Sequence, residues 1–336
     1  MIEASTAPGM GLVSAVLMMV AAFVALAKCA DWLVEGAADL ARHLRVPPIL
    51  IGIVIISIGT TTPELAVSIQ AALDGRADIA LGNAVGSVIY DDGLALPLVA
   101  LLSPVVVMID RTVLRSAAIF LIVVDLLAYY MAWDGTLSRG EGGVLVGCFV
   151  IYLVYTYWEQ RHGRQIVDEE ELDHPPRPWN RTLLLLGLGL VGVLISSKGI
   201  VESAPVIASA MGVSDIIIAL VLVALGTSIP EVATCVVAAR KGQGALAVGN
   251  ILGADILNIC WIAGASAAVS SLSVERDVIH FMFPAMLIIV FTMLALMRMG
   301  HRFERWKGIV LLVLCAVYLI TLMSINPGAI AAHELP

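Results

Sequence analysis

The sequence predicts an all-α integral membrane protein. Ten transmembrane helices form two five-helix repeats of inverted topology, with broken helices 2 and 7 around a central ion site. Three observations carry this fold class: an apolar composition, a polar motif that occurs twice, and basic loop residues gathered on one side. Of 336 residues, 60% are hydrophobic and 14% charged, and the mean hydropathy is +0.97. Soluble domains run near 45–50% apolar and about 25% charged, so lipid is the expected solvent.

Several apolar runs reach the ~20 residues that a spanning helix needs. They fall at about 10–34, 48–72, 79–103, 112–132 and 143–160, and again at 182–204, 215–239, 245–270, 279–299 and 307–325. The run beginning near Met10 has no basic stretch before it and no small-residue cleavage site, so it reads as the first spanning helix and not as a leader. The first repeat occupies 1–160, a polar linker 161–181 and the second repeat 182–336.

Basic residues orient the spans. Loops after odd-numbered spans hold fourteen of the nineteen: Arg42, Arg45, Arg111, Arg115, Arg161, Arg164, Arg177, Arg181, Arg240, Lys241, Arg298, Arg302, Arg305 and Lys307. The opposite loops hold three, Arg76, Arg139 and Arg276, while Lys28 and Lys198 lie at span ends. Both termini are therefore expected outside a plasma (inner) membrane, with the linker cytoplasmic.

The second span contains Gly59-Thr60-Thr61-Thr62-Pro63-Glu64, and the seventh contains Gly226-Thr227-Ser228-Ile229-Pro230-Glu231. Proline removes a backbone donor and clashes with the preceding turn, and a carboxylate at membrane depth costs several kcal/mol unless it serves a site. Aligned without gaps so that Gly59 meets Gly226, residues 35–91 match residues 202–258 at 20 of 57 positions. The matches include Glu35/Glu202, Gly75/Gly242, Gly82/Gly249, Asn83/Asn250 and Gly86/Gly253. An odd number of spans per half makes the second copy enter the membrane in the opposite sense.

Each copy gathers oxygens. Thr60 and Glu64 are four apart and share a helix face; carbonyls freed by Pro63 need a cavity or a ligand. Thr227, Ser228 and Glu231 repeat the set. The following helix reads Gly82-Asn83-Ala84-Val85-Gly86-Ser87 and then Asp91, or Gly249-Asn250-Ile251-Leu252-Gly253-Ala254 and then Asn258. Its glycines permit close helix contact. Hard cations such as Ca²⁺ take six to eight oxygens.

The doubled pair of motifs, spanning 59–91 and 226–258, resembles the α-repeats of the sodium/calcium exchanger family within the cation/calcium antiporter superfamily, in its prokaryotic form without a regulatory domain. The resemblance implies Ca²⁺ export driven by Na⁺ entry through alternating access, with no prosthetic group. It makes Glu64 and Glu231 the central Ca²⁺ ligands. It adds Thr60, Thr61, Thr227, Ser228, Ser87, Asp91 and Asn258 to the Ca²⁺ and Na⁺ sites, with carbonyls near Ser57 and Ala224, and makes spans one and six the mobile pair. The chain departs from the family where Ala254 lacks a hydroxyl, and the Asp91/Asn258 pair is reversed between halves. Coupling to H⁺ or K⁺ in place of Na⁺ stays open on those grounds.

Other polar residues get plainer expectations. Asn83 and Asn250 read as helix–helix hydrogen bonders, Asp92 as a non-ligand on another face, and Asp125 as a cap or packing residue; Asp255 is undecided. Lys28, Asp31, Glu35, Lys198 and Glu202 read as pairs reaching the interface. The acidic run Asp168–Asp173 lacks the pattern of a Ca²⁺ loop. Five cysteines without a CxxC pair imply small buried hydrophobes. No nucleotide-binding loop, metalloprotease motif or basic stripe for nucleic acid occurs, so an enzyme is disfavoured. The expected partners are Ca²⁺, Na⁺ and the bilayer. A passive channel, which needs a continuous pore and weak sites, fits buried carboxylates in a repeat less well.

Overall fold

The computed structural model describes residues 11–109, 111–162, 177–211 and 226–325. Helix α1 spans Leu12–Leu44, α2 Pro48–Thr60 and α3 Thr62–Leu73. Helix α4 runs from Ala77–Tyr90 through a π turn, Asp91–Ala95, to Leu96–Leu102. Then follow α5 (Arg111–Ala132), α6 (Arg139–His162), α7 (Trp179–Ala210) and α8 (Ile229–Arg240). Helix α9 joins Gly244–Ile256 to Gly264–Val269 through the π turn Leu257–Ala263. Helix α10 begins with the π turn Val278–Met282 and continues over Phe283–Arg298; α11 covers Arg305–Ile325.

Among the described residues seven helices are long and apolar enough to cross a membrane, and α2 with α3, bent by 46°, makes an eighth. The expected span at 143–160 lies in α6. The one at 215–239 lies partly outside the described residues and partly in α8. Residue Ala224 and the acidic run 168–173 also lie outside them.

Burial separates the helices into a centre and a periphery. The apolar stretches of α4 and α9 are 78% and 89% buried, against 17% and 28% for α1 and α7. The exposed faces of α1 and α7 carry Leu17, Val24, Leu184 and Ile195, an apolar belt that water would not tolerate and lipid does. At the centre, α9 lies directly on α2. A Cβ on Gly249 or Gly253 would strike the carbonyl of Ile49 or Ile53, and one on Gly52 the carbonyl of Leu246. Only glycine allows two backbones so close.

The peripheral pair α1/α7 is held together by the same device, with Gly36 against Leu186 and Gly189 against Leu33. Ion pairs tie α1 to its surroundings. Lys241, just after α8, reaches Asp31 at 2.5 Å and Glu35 at 2.8 Å, and Arg177 reaches Glu35 at 2.8 Å and Asp39 at 3.0 Å. The sequence pairing of Lys198 with Glu202 is present at 3.7 Å between exposed groups. Glu35 and Asp31, expected in pairs that reach the interface, take partners far along the chain, Lys241 and Arg177, with Lys28 also on Asp31.

One difference from an all-helical chain is local. Two-residue strands β1 (Val107–Met108) and β4 (Arg302–Phe303) pair antiparallel, as do β2 (Thr136–Leu137) and β3 (Leu272–Ser273). Short connections between spans have backbone groups to satisfy, and here each finds its partner in a connection of the other half.

Candidate ion-binding site

The two broken segments reach the centre as helix N-termini. Thr61, at φ −78° and ψ 5°, separates α2 from α3. Ser228, its counterpart in the second copy, has φ −83° and ψ 3° and precedes α8. Pro63 and Pro230 occupy the second helical position in each, where a missing N–H leaves no bond unmade. Glu64 and Glu231 thus fall in first turns, at the end of the helix dipole that favours negative charge.

Both glutamates are fully buried. Glu64 faces Glu231 and Asp91, and Asp91 faces Glu231. None of the four glutamate oxygens has a hydrogen-bond partner among the described residues, although Thr227 stands beside Glu64 and Thr60 beside Glu231. The threonine hydroxyls are turned to the asparagines of the opposite copy. Thr60 Oγ1 donates to Asn250 Oδ1 at 3.4 Å, and Thr227 Oγ1 to Asn83 Oδ1 at 3.2 Å.

The remaining expected residues divide. Asn258 Nδ2 donates to Asp91 Oδ2 at 3.4 Å, so the two equivalent positions meet each other. Asp91 Oδ1, Asn258 Oδ1 and Ser87 Oγ lack partners among the described residues. Thr61 is different: its hydroxyl donates to the Ser57 carbonyl at 2.8 Å, and its N–H to the same oxygen at 2.9 Å. Ser228 is buried at the second joint.

The asparagines do more than join helices. Asn83 Nδ2 donates to the Glu64 carbonyl at 3.3 Å and to Ser68 Oγ at 3.0 Å, and Ser68 Oγ donates to the Ala80 carbonyl at 3.1 Å. In the second copy Asn250 Nδ2 meets Cys235 Sγ at 3.5 Å, and Cys235 donates to the Ala247 carbonyl at 3.6 Å. Sequence reasoning missed Ser68 and Cys235, although each lies four residues beyond its glutamate and so on the same helix face. It also set Asp92 and Asp125 aside; both, with Asp255, are fully buried next to this site.

No three His, Cys, Asp or Glu side chains among the described residues close into a single cage. A cation held here would have to complete its shell with neutral hydroxyl, amide and carbonyl oxygens, the donors that hard cations take. Ionisable residues buried within a membrane protein mark ion pathways. Glycine-packed helices, a break between α2 and α3 and buried carboxylates beside it define the class: a membrane transporter.

Comparison with known proteins specifies the family. The family model described as sodium/calcium exchanger protein matches residues 14–158 and 181–324. The chain belongs to the sodium/calcium exchanger family. It is 36% identical to CaxA of Alkalimonas amylolytica, covering 92% of this chain and 99% of that one. It is 30% identical to the sodium/calcium exchanger MaX1 of Methanosarcina acetivorans, covering 92% and 98%. Among solved structures it resembles the sodium-calcium exchanger NCX_Mj with TM-score 0.79 and 30% identity, covering 92% of this chain and 98% of that one.

Proposed function

We propose that this chain is a secondary antiporter that exchanges Ca²⁺ for Na⁺ by alternating access. The observation that carries this is the pair Glu64 and Glu231, both fully buried and without hydrogen-bond partners among the described residues. A divalent ion stripped of water needs nearby negative charge to offset its desolvation, and two carboxylates match its two charges. Thr60, Thr61, Thr227, Ser228, Ser87 and Asn258 supply neutral oxygens to the Ca²⁺ and Na⁺ positions, and Asp91 a third carboxylate. MaX1 and NCX_Mj, named as sodium/calcium exchangers, support the ions chosen.

The two repeats, 1–160 and 182–336 about the linker 161–181, enter the membrane in opposite senses. The family model's two matches begin at 14 and 181, the same register that carries Glu64 onto Glu231. The lightly buried α1/α7 pair slides past the α4/α9 centre to expose the site to either side. Both termini face the outside of the plasma membrane, from the basic-residue bias.

A second reading, with H⁺ or K⁺ replacing Na⁺, is favoured by Ala254, which offers no hydroxyl where the first copy has Ser87. Uptake of radiolabelled Ca²⁺ into proteoliposomes under imposed Na⁺, K⁺ or pH gradients tests both. An outward Na⁺ gradient is expected to drive Ca²⁺ accumulation above equilibrium. Accumulation driven only by pH or K⁺ selects the second reading, and none under any gradient overturns antiport.

A further inference from the structure

The ion pairs that tie α1 to the end of α8 have counterparts in the other half. In the register that pairs Glu64 with Glu231, Asp31 falls on Lys198, Glu35 on Glu202 and Asp74 on Lys241. Each set is one lysine and two acids, with the charges exchanged at two of the three positions. In the first set, Lys241 follows α8 and holds Asp31 at 2.5 Å and Glu35 at 2.8 Å, both on α1. In the second, Lys198 and Glu202 ride on α7, and Asp74 follows α3.

The two turns that carry Asp74 and Lys241 are alike. Asp74 has φ −78° and ψ 2°, Lys241 has φ −81° and ψ 1°, and each precedes a glycine at φ 73°. What differs is the helix opposite. Helix α1 packs along α8, whereas the equivalent helices α7 and α3 do not pack on each other to that extent. The Lys198 side chain is 77% exposed and lies 3.7 Å from Glu202. Asp74 is exposed and accepts from Gln70 Nε2 at 2.9 Å. Among the described residues no ion pair joins Lys198 to Asp74. One set is engaged and its counterpart is apart.

We propose that these sets are two latches closed in turn. Lys241 on Asp31 and Glu35 fastens the α1/α7 pair in the arrangement seen here, and Lys198 on Asp74 fastens it in the opposite one. The inference rests on the reading of α1 and α7 as a pair that slides past the centre. In repeats of opposite sense the turns after α3 and α8 lie at opposite faces of the membrane, so a slide that parts the first set brings the second together. Contacts made in only one arrangement bias a two-state equilibrium by their difference alone. Partly exposed ion pairs are weak, which suits a fastening that opens in every cycle.

Cross-linking of the purified full chain in lipid nanodiscs tests this. The variant Asp74→Cys/Lys198→Cys is treated with a short, reducible bifunctional thiol reagent that spans the reach of a lysine side chain. The two single variants control for the native cysteines. A link between 74 and 198 is expected, and in proteoliposomes it is expected to stop Ca²⁺ exchange until it is reduced. Adding Lys241→Gln, which releases the first latch, is expected to speed linking by about threefold. In a separate series, Asp74→Lys and Lys198→Asp are each expected to slow exchange by about threefold, and the two together to restore it. No link in the folded chain would overturn the proposal. So would a linked chain that exchanges at the parent rate, or a double charge swap as slow as the singles. Linking reports the movement without transport: a link that forms in a chain moving no Ca²⁺ under any gradient keeps the latch and sinks the antiport reading.

Discussion

The two copies of the motif are built alike and provisioned differently. In the first, Asn83 makes hydrogen bonds of 3.0, 3.2 and 3.3 Å to Ser68, Thr227 and the Glu64 backbone. In the second, Asn250 makes longer ones, 3.4 Å with Thr60 and 3.5 Å with the sulfur of Cys235. Ser87 and Asp91 in the first copy face Ala254 and Asn258 in the second. Among the carboxylates of the site, only the glutamates are kept on both sides. On the exchange reading, the difference separates what a doubly charged ion would demand, one carboxylate from each copy, from what tunes the site, which one copy can carry alone.

The strongest test of that division is the pair Glu64→Gln and Glu231→Gln. Removing one carboxylate that offsets a bound charge costs about 2–5 kcal/mol of binding, roughly thirtyfold or more. Both variants are expected to lose Ca²⁺ exchange to a similar degree while melting like the parent. Exchange at the parent rate in the double variant would remove the glutamates from the site, and a large inequality between the singles would break their equivalence.

Asp91 comes next. If Glu64, Glu231 and Asp91 all face Ca²⁺, three carboxylates meet two charges, and one of them is expected to exchange a proton with each ion. Asp91→Asn makes the copies alike here, and exchange is expected to continue with its pH dependence flattened by roughly tenfold across the neutral range. Adding Asn258→Asp returns a carboxylate from the other copy and with it the pH dependence. Rates measured against pH for the three chains decide this, and loss of all Ca²⁺ binding in Asp91→Asn would make Asp91 an obligate ligand.

Smaller effects sharpen the comparison. Asn83→Ala leaves Ser68 and Thr227 each short of a partner and is expected to destabilise by about 2 kcal/mol, against about 1 kcal/mol or less for Asn250→Ala with its longer bonds. Thermal melting in detergent ranks them, and the reverse order would mean that the shorter bonds are not the stronger. Smallest is Ala254→Ser, which restores a hydroxyl to the second copy. It is expected to shift the Na⁺ activation curve by about threefold or less, with little effect on Ca²⁺ affinity. A changed Ca²⁺ affinity over an unmoved Na⁺ curve would count against that position as a monovalent-ion contact.

Much of this protein is decided by its sequence alone. A bilayer tolerates few polar interruptions, so Pro63 and Glu64 repeated as Pro230 and Glu231 cannot be incidental. Spacing within a helix is fixed by the backbone, which puts Ser87 with Asp91 on a common face without any coordinates; for Thr60 and Glu64 the same spacing fails, because the break at Thr61 places them on different helices. The membrane class, the family resemblance and the central glutamates follow from those local rules.

What only the tertiary structure decided are the partners across helices. Nothing in the spacing says that Asn83 serves Thr227 and Asn250 serves Thr60, each crossing to the other copy. Nor does it say that Thr61 bends back to the Ser57 carbonyl, or that Lys241 reaches Asp31 and Glu35 on α1. Asp92, Asp125 and Asp255 are scattered along the chain, and each taken alone reads as a minor polar residue. That all three are buried depends on how α4, α5 and α9 pack, and that is set by the glycine contacts between helices and by the shapes of the side chains they must accommodate.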